Sequence, residues 1–277
     1  MKRVLAIALL AACVPSTESR TAAGAAGVVT EPSAASRGEP FVTADGWTLV
    51  IDSLILQAEV AVVSQNGQQS AYGSTTSYLW DARRRVELFT PALELGSWLV
   101  RVAPRSRYLT SNGFDEIENL GVETSLEARF YQPVVTPFDA FGDDFRRGPS
   151  ALLVVRATKG TREVSMSVAL GRPLGGSAPS VGLAEPVHVV LVEANALSTS
   201  SIRVDGSRFF LDDDRALRFD LLAAADADAD GAITDFELAS SIVPCRVCNA
   251  PMSGEEPHGP LLELVTARLP AVLDGSP

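Results

Sequence analysis

The sequence predicts a mainly β chain with some α: an antiparallel β-sandwich followed by a small helical unit. Two observations carry this. Short runs rich in β-branched residues recur from about residue 41 to 208, each bounded by Gly, Pro, Asp or Asn. From about residue 209 the period changes, and apolar residues at helical spacing flank an acidic loop. No regular strand–helix alternation supports a parallel sheet, and no internal repeat is evident.

The individual strands follow in order. Val50, Ile51, Leu54, Ile55, Leu56, Val60 and Val62 mark the first long one, entered through the Asp45-Gly46 turn before Trp47. Ser77 to Trp80, Arg85 to Phe89, Ser97 to Ala103 and Leu126 to Val135 are further candidates. Ala151 to Ala157 and Val164 to Leu170 flank Thr158-Lys159-Gly160-Thr161, which suits a hairpin turn. Val187 to Val192 and Ser201 to Val204 complete the set. Each of Trp47, Trp80 and Trp98 lies in or beside a candidate strand, which places them in the core ahead of a sugar-binding patch. Arg83-Arg84-Arg85 reads as a charged turn or sheet edge ahead of an anion site. Asp139, Asp143 and Asp144 read as a polar loop ahead of a metal site.

The N-terminus carries an address. Met1-Lys2-Arg3 precedes the apolar run Val4 to Ala12, the shape of a secretory signal peptide and too short to span a bilayer. Leu10-Ala11-Ala12-Cys13 resembles the lipobox of bacterial lipoproteins. That resemblance implies cleavage of residues 1–12, diacylglyceryl modification of Cys13, and a lipid-anchored place in the bacterial cell envelope, periplasmic or outer-surface. Residues 13–40 are dominated by Ser, Ala, Gly, Thr and Pro and are expected to form a flexible tether. Loss of Lys2 and Arg3 takes the formal charge from −11 to −11 − 2 = −13. So acidic a chain is a poor partner for nucleic acid and for anionic head groups, which leaves lipid as the membrane partner. Any protein or glycan partner is unassigned.

In the C-terminal region, residues 209–277, Asp226 to Glu237 reads DADADGAITDFE. Carboxylates stand at alternate positions, Asp226, Asp228 and Asp230, and Gly231 follows where a sharp turn is needed. Calcium takes six to eight oxygens, and alternate carboxylates on a tightly turning chain converge on one point. The stretch resembles an EF-hand loop at every position that family uses. The resemblance implies calcium as cofactor, held by Asp226, Asp228, Asp230, the Ala232 carbonyl, Thr234 and both oxygens of Glu237, with Ile233 facing inward. Residues 215–225 are expected as the entering helix and 235–243 as the exiting helix, ended by Pro244. EF-hands come in pairs and no second complete loop is present, so binding in the 10⁻⁴ to 10⁻³ M range of extracellular modules is expected. Dockerin modules carry such loops in duplicate, and none is assigned.

Cys245 and Cys248 form CRVC. In an oxidising compartment they are expected to pair as a disulfide. Metal binding with His258 and Glu255 or Glu256 is the alternative. Pro251 and Gly254 argue against the helix of a thioredoxin-like site, and Asn249 stands where a c-type haem site needs histidine. Leu261 to Leu269 is expected as a last amphipathic helix. The chain has no GxSxG elbow, phosphate loop or HExxH, and His188 lies inside an apolar run. The expectation is a non-enzymatic binding or adhesion module, with an envelope hydrolase or a redox or metal-handling accessory as the alternative.

Overall fold

The computed structural model describes residues 23–64, 76–104, 109–110, 113–114, 117–131, 149–171, 187–211, 217–244 and 258–273. In chain order these form β1 (Ala23–Pro32), β2 (Phe41–Val42), β3 (Thr48–Ser64), β4 (Thr76–Asp81), β5 (Val86–Glu94), β6 (Gly96–Pro104), β7 (Leu109–Thr110), β8 (Gly113–Phe114) and β9 (Glu118–Asn119). There follow α1 (Thr124–Phe130), β10 (Ala151–Lys159), β11 (Arg162–Leu170), β12 (Val187–Val192), β13 (Leu197–Val204) and α2 (Phe219–Ala223). Last come β14 (Ala232–Thr234), α3 (Asp235–Ser240), β15 (Ile242–Pro244), β16 (His258–Pro260), α4 (Leu261–Thr266) and α5 (Leu269–Leu273). The chain is mainly β.

The largest sheet has nine strands, along the path β12-β6-β3-β10-β11-β14, with β2, β4 and β9 off it. Strand β3 is its spine: its 17 residues pair with β10 over the first part and with β4 and β6 over the second. A second sheet has the order β13-β1-β5. Both contribute to one core. Val28, Leu88 and Val204 from the smaller sheet join Leu49, Leu54, Val155 and Met166 from the larger. Trp47, Trp80 and Trp98 are all buried there, as their strand positions predict. The opposite face of the large sheet holds a smaller cluster around Ile55, Leu152 and Phe130.

Several sequence expectations hold closely. Val187 to Val192 is a strand from end to end, and the β10–β11 hairpin turns at Gly160 with φ +62°. Arg83 to Arg85 do lie in and just after a charged turn. Arg83 ion-pairs with Asp81 at 2.9 Å and Arg85 with Glu31 at 2.9 Å.

Two expectations fail. The segment 13–40 is no tether from Ala23 onward, because Ala23–Pro32 is the central strand of the smaller sheet. It pairs parallel with β13 and antiparallel with β5. Its small residues allow close approach: a Cβ on Gly24 would collide with the Glu193 carbonyl oxygen. The serines beyond it bind rather than float. Ser33 Oγ donates to Asp205 Oδ1 (2.8 Å), Ser36 Oγ donates to the Val204 carbonyl (2.9 Å), and Gly206 N–H donates to Ser36 Oγ (2.7 Å). Burial pushes the Asp205 carboxyl up, but hydrogen bonds from the Ser207 hydroxyl, from Ser33 and from Ser207 N–H, with the Arg203 charge, hold it below its ordinary range.

The second failure is Leu126–Val135, expected as a strand. Thr124–Phe130 is a helix, and 132–135 lie outside the described residues. Leu, Glu, Ala and Arg are strong helix formers. Val122, Leu126 and Phe130, four apart, put one apolar face on the sheet.

Candidate metal centre

The acidic loop is approached through α2, shorter than the expected helix 215–225. Phe219 packs on Trp47 (centroids 5.1 Å apart) and on Phe210 (5.8 Å). Asp220 Oδ1 accepts from Trp47 Nε1 at 2.8 Å and from Lys159 Nζ at 2.9 Å. These two bonds hold its carboxyl below the usual aspartate range. Arg162 donates to the Ala223 carbonyl at 2.8 Å, so the loop starts from a helix pinned to the β10–β11 hairpin.

Within the loop each aspartate accepts a backbone N–H further on. Asp226 Oδ2 accepts from Gly231 (3.2 Å), Asp228 Oδ1 from Asp230 (3.3 Å) and Asp230 Oδ1 from Ala232 (2.7 Å). Two residues take left-handed backbone, Ala229 at φ +58° and Gly231 at φ +81°. A Cβ at Gly231 would meet only the Glu163 carbonyl oxygen at 3.6 Å, so glycine is required there by conformation and not by space.

Glu237 closes the far end. Thr234 caps α3 through a reciprocal capping box: its Oγ1 accepts from Glu237 N–H (3.3 Å), while Thr234 N–H donates to Glu237 Oε2 (2.9 Å). The other carboxylate oxygen, Oε1, accepts from Ala227 N–H across the loop at 3.1 Å. Asp226, Asp228 and Glu237 thereby present carboxylate oxygens within 4.8 Å of one another. Asp226 Oδ1 is buried with no hydrogen-bond partner. Like charges at that spacing repel, and a divalent cation between them would reverse the sign.

Of the six expected ligands, the structure gathers these three. The Asp230 carboxylate is turned to Ala232 N–H, and Thr234 Oγ1 is engaged with Glu237 at 2.8 Å. Ala232 begins β14, and Ile233 is buried as the resemblance implies. The exiting helix ends at Ser240, before the expected Val243, because Ile242–Pro244 pairs as a strand with β16. The last amphipathic stretch is two short helices, α4 and α5. Cys13, Cys245, Cys248, Asp139, Asp143 and Asp144 lie outside the described residues. His188 is in β12 and His258 in β16.

Two features here had no local signal in the sequence. Strand β14 pairs in parallel with β11, Ile233 opposite Met166, so the loop is the outermost member of the large sheet. Asp235 beside it is half-buried, and its Oδ1 accepts from Ala169 N–H at 2.8 Å. Burial pushes its carboxyl up to about 6, against the opposing pull of that hydrogen bond and of Arg129.

Fold and site thus define a mainly β protein with an acidic loop built into a sheet edge. No protein-family model matches the chain, and no curated protein matches it. Among solved structures it is similar to MbnP from Methylosinus trichosporium, at 11% identity and a TM-score of 0.34, over 68% of this chain and 78% of that one.

Proposed function

We propose that the chain is a lipid-anchored cell-envelope protein that binds one calcium ion through its single EF-hand-like loop. The convergence of Asp226, Asp228 and Glu237 within 4.8 Å is the observation that supports this reading most. Hard carboxylate oxygens and an open loop suit calcium. Asp230, the Ala232 carbonyl and a water beside Thr234 would complete the shell after small rotations. The ion would stabilise the folded loop. The β body, read as a sandwich, serves as a binding or adhesion module, with Cys245 and Cys248 as a disulfide and lipid on Cys13 as the membrane attachment.

Calorimetric titration of the full-length chain in detergent tests the site, beside Asp228→Ala. Asp228 is a cleaner choice than Glu237, because Glu237 also caps α3. About one ion per chain is expected, in the sub-millimolar to millimolar range and lost in the variant. No binding at several millimolar calcium would leave the loop as a solvated acidic turn.

A further inference from the structure

Strand β11 is the last long strand on its side of the nine-stranded sheet. Its outward N–H groups need partners, since an open edge invites pairing with another chain. The acidic loop supplies them. Ser165 N–H donates to the Gly231 carbonyl at 2.8 Å. Ala232–Thr234 then lies parallel to Ser165–Ser167. Ala169 N–H donates to Asp235 Oδ1 at 2.8 Å. Every one of these partners lies between residues 231 and 235, inside the span that Asp226, Asp228 and Glu237 bracket.

We infer, resting on the calcium reading of this loop, that the loop is an ion-controlled latch on the sheet: calcium at Asp226, Asp228 and Glu237 orders the edge of β11. A lone EF-hand loop lacks the second loop with which its short strand would normally pair. Here β11 takes that place. Three residues make a very short strand, and without a cation the gathered carboxylates repel. The bracketed strand is then free to leave β11 by local opening. With the ion bound, leaving requires losing the ion. By linkage the two events strengthen each other by the same factor. The consequence is a sheet edge shielded in calcium-rich surroundings and open to pairing when calcium is scarce.

Amide hydrogen exchange on the full-length chain in detergent reads this directly, in chelator and in calcium at ten times the Kd from calorimetry. If only the ion-free form opens, the open population falls about 11-fold, so exchange at Ser165 and Ala169 slows by about tenfold while β12 at the opposite edge is unchanged. The reciprocal test is Ser165→Pro, which removes the N–H donated to Gly231 but touches no carboxylate. Proline is tolerated where an edge strand's N–H faces outward, and the variant should bind calcium several-fold more weakly. Calcium binding by the wild type with unchanged exchange at Ser165 and Ala169 would overturn the latch while leaving the calcium site standing. The exchange measurement decides alone if the proline variant fails to fold. Absence of calcium binding in calorimetry would remove the site and the latch together, an outcome distinct from the first.

Discussion

The N-terminal segment 23–40 and the acidic loop 226–237 differ in where their conformation is specified. The loop carries its conformation in itself. Alternating aspartates that take N–H groups two or five residues on, a glycine at positive φ and a capping box at its end are all local devices. The N-terminal segment carries almost none. Its strand exists because β13 and β5 flank it, and small side chains let it sit between them. The difference is one of range. A spacing rule operates over a dozen residues and is visible in one sequence, whereas a strand of Ala, Gly and Val is specified by partners about 60 and 170 residues away.

The contrast breaks most sharply at Val28, which is fully buried in β1. Val28→Asp places a charge in the core with no partner. The expected loss is several kcal/mol, enough to prevent folding at the marginal stability of ordinary domains. Urea denaturation of the two proteins checks this. A tether would tolerate the change with no shift in midpoint, and that result would return the segment to its sequence-based reading.

The same difference in range explains what was legible elsewhere. The strands between 151 and 204 could be placed because Val, Ile and Leu alternate or run together between turn residues. The β10–β11 hairpin and β12 needed no tertiary information. Helix α1 was misread since Leu126, Phe130 and Tyr131 fit a strand as well as a helix over so short a window; the helical spacing from Val122 was the signal that could have decided it. At the candidate site the alternating carboxylates and the glycine turn were legible, and so was the burial of Ile233. What faces Ile233 was not, because parallel pairing with β11 leaves no mark in either segment.

Asp235 lies where the two kinds of information meet, a loop residue whose environment is set by the sheet. Its folded value, pushed up to about 6, lies above that of an unfolded aspartate. The folded state therefore binds the proton more tightly. The stabilisation is complete below the unfolded value and is lost as pH rises through about 6. In chelator, the wild-type stability attributable to this group should fall between pH 5 and pH 8 by about 1.4 kcal/mol. Asp235→Asn should remove that part of the pH dependence. Denaturant midpoints at the two pH values for both proteins measure it. Equal pH slopes would mean that the carboxylate is far more solvated than its burial implies.

The smallest effect expected is at Asp228, and it sharpens the comparison from the other side. Its carboxylate is exposed and accepts a single long bond, from Asp230 N–H at 3.3 Å. Loss of that bond is offset by relief of repulsion from Asp226 and Glu237, both within 4.8 Å. With calcium chelated, Asp228→Ala should therefore alter stability by no more than about 0.5 kcal/mol in either direction. With calcium present at ten times the wild-type Kd, the wild type alone should gain about 1.4 kcal/mol from the ion. Thermal melts of both proteins in both conditions separate the two contributions. A large loss in chelator would make the carboxylate part of the scaffold. A difference that appears only with calcium makes it a ligand.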